Sequence, residues 1–158
     1  PRIDSRSGEN RVRSRIGLEA DAVDVDSSVN LLDLVADACD RQPIHCVLVD
    51  ESQFLSAQQV DQLTEVVDAL DIPVLAYGLR TDFLGMLFEG SRQLLALADE
   101  LREIKTVCHC GRKATMVVRF DDEGRPLRGG DQIQIGGNET YVSMCRRHFK
   151  ESLKIPAG

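Results

Sequence analysis

Apolar residues recur in distinct patterns along the chain, and each pattern predicts an element. Leu31, Leu34, Val35 and Ala38 fall at helical spacing with Ser27 or Ser28 placed as a cap, so a helix is predicted there with its acids on the solvated face. Residues 44–49 are apolar apart from His45, rich in β-branched side chains and preceded by Pro43; they predict a buried strand. Val60, Leu63, Val67 and Leu70 make one stripe over residues 56–70, a helix with Ser56 as its cap. Asp71-Ile72-Pro73 breaks that helix, and residues 73–79 predict a second buried strand. Strand, helix, strand in this order implies a parallel α/β unit with a right-handed crossover. A mixed loop over 80–90, a short helix over 92–98 and a strand over 104–107 follow.

From Cys108 the pattern changes to short alternating strands, over 115–120, 132–135 and 140–143, around the Gly- and Pro-bearing loop 121–130. The fold class expected is therefore α/β, a parallel sheet with helices over residues 1–107, followed by a small β-rich subdomain over 108–158. Residues 1–18 carry five arginines (Arg2, Arg6, Arg11, Arg13, Arg15) with little periodicity and read as a loop. Residues 19–40 reverse the sign, with seven acids and no base.

Composition narrows the function classes. Hydrophobic residues at 42% and charged residues at 28% are ordinary for a globular domain of this size. A net charge of −7 disfavours non-specific binding to a polyanion, so no nucleic-acid partner is expected. No apolar stretch approaches the ~20 residues that span a bilayer, and the polar, Arg-rich start has no secretory character. A cytoplasmic domain is expected.

The five cysteines are an odd number and are clustered, which suits metal ligation better than a disulfide framework. Cys108-His109-Cys110-Gly111 and Cys145-Arg146-Arg147-His148 form two close ligand pairs, with 34 residues between Cys110 and Cys145. Two such pairs joined by a β-hairpin can close a tetrahedral Cys₃His shell around a structural zinc, with Gly111 allowing a tight turn. Two unrelated pairs of buried thiols are the alternative, and His109 is a competing ligand. A subdomain this small has little core, so the metal would supply much of its folding free energy. Cys39 and Cys46 are expected in core packing, and His45 as a hydrogen-bonded core residue.

The strand over 44–49 delivers Asp50-Glu51-Ser52-Gln53-Phe54 at its carboxyl end, the Walker B pattern. Asp50 there can hold Mg²⁺ beside nucleotide phosphates, and Glu51 can accept a proton from an attacking hydroxyl. Many parallel strands also end in an acid simply because the chain is leaving the core.

Further motifs make the pattern specific. Asp50-Glu51-Ser52-Gln53-Phe54, Ile72-Pro-Val-Leu-Ala-Tyr-Gly-Leu-Arg-Thr-Asp-Phe83 and Ile135-Gly-Gly-Asn-Glu-Thr-Tyr141 occur in order with the two Cys/His pairs. Over nearly its whole length the chain resembles the zinc-containing cellular and bacterial thymidine kinases. The resemblance implies a P-loop α/β domain and a zinc-bearing lasso subdomain, with transfer of the ATP γ-phosphate to the 5′-hydroxyl of thymidine or deoxyuridine. It also implies a homotetramer inhibited by thymidine triphosphate.

By position, Glu51 matches the family's general base and Asp50 its magnesium-associated acid, within a nucleotide-contacting segment Asp50, Glu51, Ser52, Gln53. Phe54, Leu79, Phe83 and Phe88 match the thymine pocket, while Ile133, Ile135, Gly136 and Tyr141 match the lasso. Cys108, Cys110, Cys145 and His148 match the zinc ligands.

One departure stands against this. No G-x-x-x-x-G-K-[ST] motif and no Gly-Lys dipeptide occur in the 158 residues. That loop's amides and lysine grip the phosphates in the family. The expectation is a chain lacking the first strand-loop-helix unit, which alone binds ATP poorly and turns over little. The rival readings are a non-catalytic zinc-ribbon module binding nucleic acid, and a catalytically dead nucleoside-binding relative.

Overall fold

The computed structural model describes residues 11–13, 16–130 and 140–154. The chain divides into two compact units, Pro1–Leu79 with Phe88–Ala98, and Arg80–Leu87 with Asp99–Gly158. It is a mixed α/β protein with one parallel strand pair in the first unit and antiparallel hairpins in the second.

In the first unit the strand β3 (Val47–Val49) runs parallel to β4 (Val74–Ala76), with α2 (Ala57–Leu70) as the crossover. Before them lie β1 (Arg11–Arg13), β2 (Glu19–Asp21) and α1 (Leu31–Cys39); α3 (Glu89–Leu97) completes the unit. The start of α2 is as expected: Ser56 Oγ accepts the Gln59 N–H and the Gln59 side chain returns a bond to the Ser56 N–H, a full capping box. The cap of α1 is Asn30, not a serine. Its side chain accepts the N–H groups of Leu32 and Asp33, while the Ser28 N–H and hydroxyl are both taken by Asp26.

Two patches form the core of this unit. Val25, Leu31, Leu55, Val60 and Leu63 pack with Val49 and Val74, and Val35, Val66 and Ile72 pack with Val47 and Cys39. Cys39 is thus a core residue as expected. Among the described residues, however, the two strands are covered on one face only. Val47, Val49 and Val74 turn inward, and by the two-residue alternation Leu48 (68% exposed) and Leu75 (42%) turn outward. The expectation of two fully buried strands is therefore corrected, and with it the placing of Cys46 and His45 in the core, since both are exposed. The described part of the Arg-rich start also differs from a loop. Arg11–Arg13 pairs antiparallel with Glu19–Asp21, where Arg11 meets both Glu19 and Asp21 across the strands.

In the second unit, β5 (Thr106–Val107) and β6 (Lys113–Ala114) form a tight hairpin, and β7 (Met116–Phe120) pairs with β8 (Thr140–Met144). The helix α4 (Arg146–Leu153) follows β8 directly. Cys108, Ala114, Val118, Met144, Cys145 and Phe149 make its small core, four of the six being at or beside the Cys/His pairs. The strand expected over 132–135 lies outside the described residues.

Candidate active site and metal centre

At the carboxyl end of β3 the backbone leaves the sheet through an unusual turn. Glu51 adopts a left-handed conformation (φ 53°, ψ 38°), rare for a residue with a Cβ and characteristic of positions held by their surroundings. Three contacts hold it. Asp50 Oδ1 accepts the Glu51 N–H at 2.9 Å, and the Ser52 N–H donates to the Tyr77 carbonyl at 2.8 Å, extending the parallel ladder. The Gln53 amide then donates to the Glu51 carboxylate at 2.5 Å.

Residues Ser52–Phe54 form a single 3₁₀ turn with Ser52 and Gln53 buried. That turn sits against backbone rather than against side chains. A Cβ on Gly78 would lie 2.6 Å from Gln53 Oε1, and one on Gly90 would lie 2.5 Å from the Ser52 carbonyl oxygen. Gln53 Oε1 also accepts the Leu79 N–H at 3.0 Å, and the Ser91 hydroxyl donates to the Leu79 carbonyl at 2.6 Å. Phe54 and Phe88 meet edge to face with ring centroids 5.6 Å apart. Sequence reasoning assigned Asp50–Phe54, Leu79 and Phe88, and the structure brings them together in this unit. It missed Gly78, Gly90 and Ser91, for which the only signal was a small residue at each point of close approach.

Phe83 and Tyr141 belong to the second unit. Phe83 is 2% exposed, Tyr141 is exposed on β8, and the buried Arg119 guanidinium lies over both rings, at 5.2 and 5.9 Å from their centroids. The loop holding Phe83 is closed by Asp82, whose Oδ1 accepts the N–H groups of Leu84 and Met86. Ile133, Ile135 and Gly136 lie outside the described residues.

The two Cys/His pairs converge as predicted. Cys108, Cys110, Cys145 and His148 present four donor atoms all within 4.8 Å of one another. The hairpin β5–β6 positions the first pair: the Cys108 N–H donates to the Arg112 carbonyl and the Gly111 N–H to the Cys108 carbonyl, both at 2.8 Å, with Gly111 at φ 81°. The second pair spans the β8–α4 junction, with Cys145 at the helix cap and His148 one turn on. Sγ of Cys108 is 3.3 Å from Nδ1 of His148, Sγ of Cys145 is 3.6 Å from it, and the Cys110 and Cys145 sulfurs are 3.9 Å apart.

Zinc–sulfur bonds of ~2.3 Å and zinc–nitrogen bonds of ~2.0–2.1 Å give a tetrahedron whose edges are about 3.5–3.8 Å. The donor set therefore fits a tetrahedral metal ion, and zinc in particular by its softness. His148 Nε2, on the far side of the ring, lies 3.7 Å from the Glu151 carboxylate, an ion-pair distance beyond hydrogen-bond reach. His109 is not one of the four; it stacks on His148 with centroids 4.2 Å apart.

The electrostatics match a ligand cluster. The Cys108 thiol is pulled from 9.0 down to about 5, first by the Cys110 backbone N–H and then by the His148 side chain. Cys110 is lowered by the Arg112 N–H, but burial and the neighbouring Cys108 and Cys145 sulfurs outweigh that and push it up. One thiolate among competing thiols is the charge state that a divalent cation displaces protons from.

Comparison with known proteins places the chain in a family. The family model "Thymidine kinase" matches residues 1–149. A thymidine kinase of Rhodopirellula baltica is 60% identical over 153 residues, covering 97% of this chain and 72% of that protein. One of Vibrio cholerae is 60% identical over 151 residues, covering 96% of this chain and 79% of its own length. One of Shewanella oneidensis is 59% identical over 149 residues, with 94% and 78% covered. On this identity and coverage the chain belongs to the thymidine kinase family.

Proposed function

We propose that the protein transfers the γ-phosphate of ATP to the 5′-hydroxyl of thymidine, and of deoxyuridine, giving the nucleoside monophosphate for DNA-precursor salvage. The observation that carries the reading is Glu51. Its carboxylate stands at the carboxyl end of a parallel strand, where α/β sheets bind ligands, in a strained turn and gripped by Gln53. Glu51 takes the proton of the 5′-hydroxyl as that oxygen bonds to the γ-phosphorus, and the bond to the departing ADP breaks.

Asp50 is assigned to the Mg²⁺ that accompanies ATP, and residues 50–53 to the nucleotide-contacting segment. Ser52 and Gln53 act from buried positions by shaping the turn. Phe54, Leu79 and Phe88 of the first unit, and Phe83, Ile133, Ile135, Gly136 and Tyr141 of the second, are assigned to thymine recognition. Bound zinc would tie β5–β6 to the β8–α4 junction through Cys108, Cys110, Cys145 and His148.

Transfer of the phosphoryl group also needs hydrogen-bond donors for the triphosphate, and the 158 residues contain no phosphate-loop motif. We therefore read these residues on their own as inactive and assign the activity to the protein as its native source makes it. A homotetramer, inhibition by thymidine triphosphate and a cytoplasmic location belong to the same reading. Among the described residues no helix is long and apolar enough to cross a membrane.

The test is incubation of natively produced protein with γ-labelled ATP and thymidine. Label in thymidine monophosphate is expected, with deoxyuridine also accepted. Absence of label in any nucleoside monophosphate, from protein that retains its metal, overturns the reading.

A further inference from the structure

The charge of −7 is unevenly distributed. The second unit alone carries twelve Lys and Arg against ten Asp and Glu, so the excess of acid lies entirely in the first. Five of those twelve cations, Arg112, Lys113, Arg146, Arg147 and Lys150, line one cleft of about 420 Å³ together with Thr115.

Two are neutralised locally: Lys113 pairs with Glu103, and Arg147 pairs with Glu151 at 2.7 Å. Arg112, Arg146 and Lys150 have no acidic partner among the described residues. A zinc ion held by three thiolates and a histidine has a net charge of about −1, and Cys145 borders the cleft, so the metal centre offsets one of the three at most.

The placement of these cations works against the helix that carries them. Arg146 and Arg147 occupy the first turn of α4, where the positive end of the helix dipole disfavours cations, and that turn has no acid. Arg146 and Lys150 are also like charges four residues apart on one helix face, which is unfavourable as well. Stability of α4 alone would select the opposite signs. A concave site holding Arg side chains that can fork around phosphate oxygens, at a helix end that attracts anions, accounts for the arrangement.

We propose that this cleft binds the oligophosphate chain of a small molecule, a di- or triphosphate. Its volume lies in the range of small-ligand pockets, and with Lys113 and Arg147 already paired to Glu103 and Glu151 only three of its cations await an anion, which suits a short compact anion rather than an extended polyanion. Inorganic oligophosphate and the phosphate tail of a nucleotide share this chemistry.

Calorimetric titration of natively produced, zinc-loaded protein with inorganic tripolyphosphate tests it, beside the Arg112→Gln/Lys150→Gln double variant. Neither residue is a metal ligand or assigned to the thymidine or ATP site. One class of tripolyphosphate site is expected to weaken at least tenfold in the double variant, while zinc content and KM for ATP stay within twofold. A parallel titration with ATP identifies the source: tighter binding than tripolyphosphate at the variant-sensitive site indicates a nucleotide tail, and equal binding indicates the phosphate chain alone. If the double variant loses zinc, Lys150→Glu alone carries the same expectation. Tripolyphosphate binding that is absent, or unchanged in a zinc-loaded variant, overturns the proposal. So does a variant-sensitive preference for duplex DNA over tripolyphosphate.

Discussion

Gln53 joins Glu51 to Leu79 through its two amide atoms: Nε2 donates to the Glu51 carboxylate at 2.5 Å, and Oε1 accepts the Leu79 N–H at 3.0 Å. The side chain is 2% exposed, so both bonds are made away from water, where an unmet amide is costly. The end of β3 and the chain beyond β4 are thereby locked to the one carboxylate assigned to proton transfer. Gln53 is a positioning residue.

Removing that lock has a separable kinetic signature. In Gln53→Ala, kcat is expected to fall about 10–100-fold because the carboxylate loses its fixed direction, while thymidine affinity changes much less. Steady-state kinetics with a direct thymidine binding measurement separate the two. An unchanged kcat, or equal losses in binding and turnover, contradicts a positioning role.

The same turn explains two glycines. A Cβ at Gly90 would come within 2.5 Å of the Ser52 carbonyl and 2.8 Å of that of Leu55, neither of which is a flexible side-chain end. Gly90→Ala is expected to cost about 1–3 kcal/mol, as overpacking does. Gly129→Ala, with nothing within 4 Å, serves as the control and stays within about 0.5 kcal/mol. Urea midpoints of the two variants decide it; equal midpoints would mean the turn relaxes freely.

Most of the candidate chemistry was legible in the sequence because it lies in short-range spacing. The Cys-x-Cys and Cys-x-x-His pairs, the acid after an apolar strand, and the Ser56 cap each fit within about seven residues. What the sequence did not reveal depends on neighbours far along the chain. Residues 44–49 look fully buried because they are apolar, but burial needs a layer on each face, and among the described residues helices cover only the side of Val47 and Val49. Cys46 and His45 went to the wrong environment for that reason. The Asn30 cap was overlooked because Ser27 and Ser28 are equally good caps by type, and only the bond from Ser28 to Asp26 removes one of them. Gly78 and Gly90 carry no local signal beyond their small size; their role exists only once residues 52–54 are folded against them.

Metal removal discriminates between the two units. Four of the six residues in the second unit's buried cluster lie at or beside the ligands, so chelation is expected to abolish amide protection in β7 and β8. The α2 amides, whose core is Val60, Leu63 and Val66, keep theirs. His148→Ala is expected to lower metal content below one ion per chain with the same exchange pattern. Hydrogen exchange followed by mass spectrometry reads this, and full protection of β7–β8 after complete chelation would contradict a structural metal.

Asp121 provides a pH signature within the same unit. Its carboxylate accepts the Arg125 N–H at 2.8 Å, the Arg125 Nε at 2.9 Å and the Glu123 N–H at 3.0 Å, and the Arg125 bonds chiefly hold it below the ordinary 3.8. A carboxylate lowered in the folded state stabilises it above the unfolded value, and that contribution disappears as pH falls through the lowered one. The 121–125 turn is therefore expected to open more readily below about pH 4. Asp121→Asn keeps an acceptor oxygen but removes the titration, so its local exchange should lose that acid limb. An identical acid limb in the variant would assign it elsewhere.

A paired measurement on Glu51→Gln in natively produced protein tests the role of Glu51 as the base: single-turnover phosphorylation of thymidine, and thymidine binding at equilibrium. If Glu51 is the base, the rate falls by about 10²–10⁴ with thymidine affinity within threefold of the unsubstituted protein. A rate within threefold of the unsubstituted protein, or thymidine binding lost together with turnover, would contradict it and make Glu51 a structural residue of the turn.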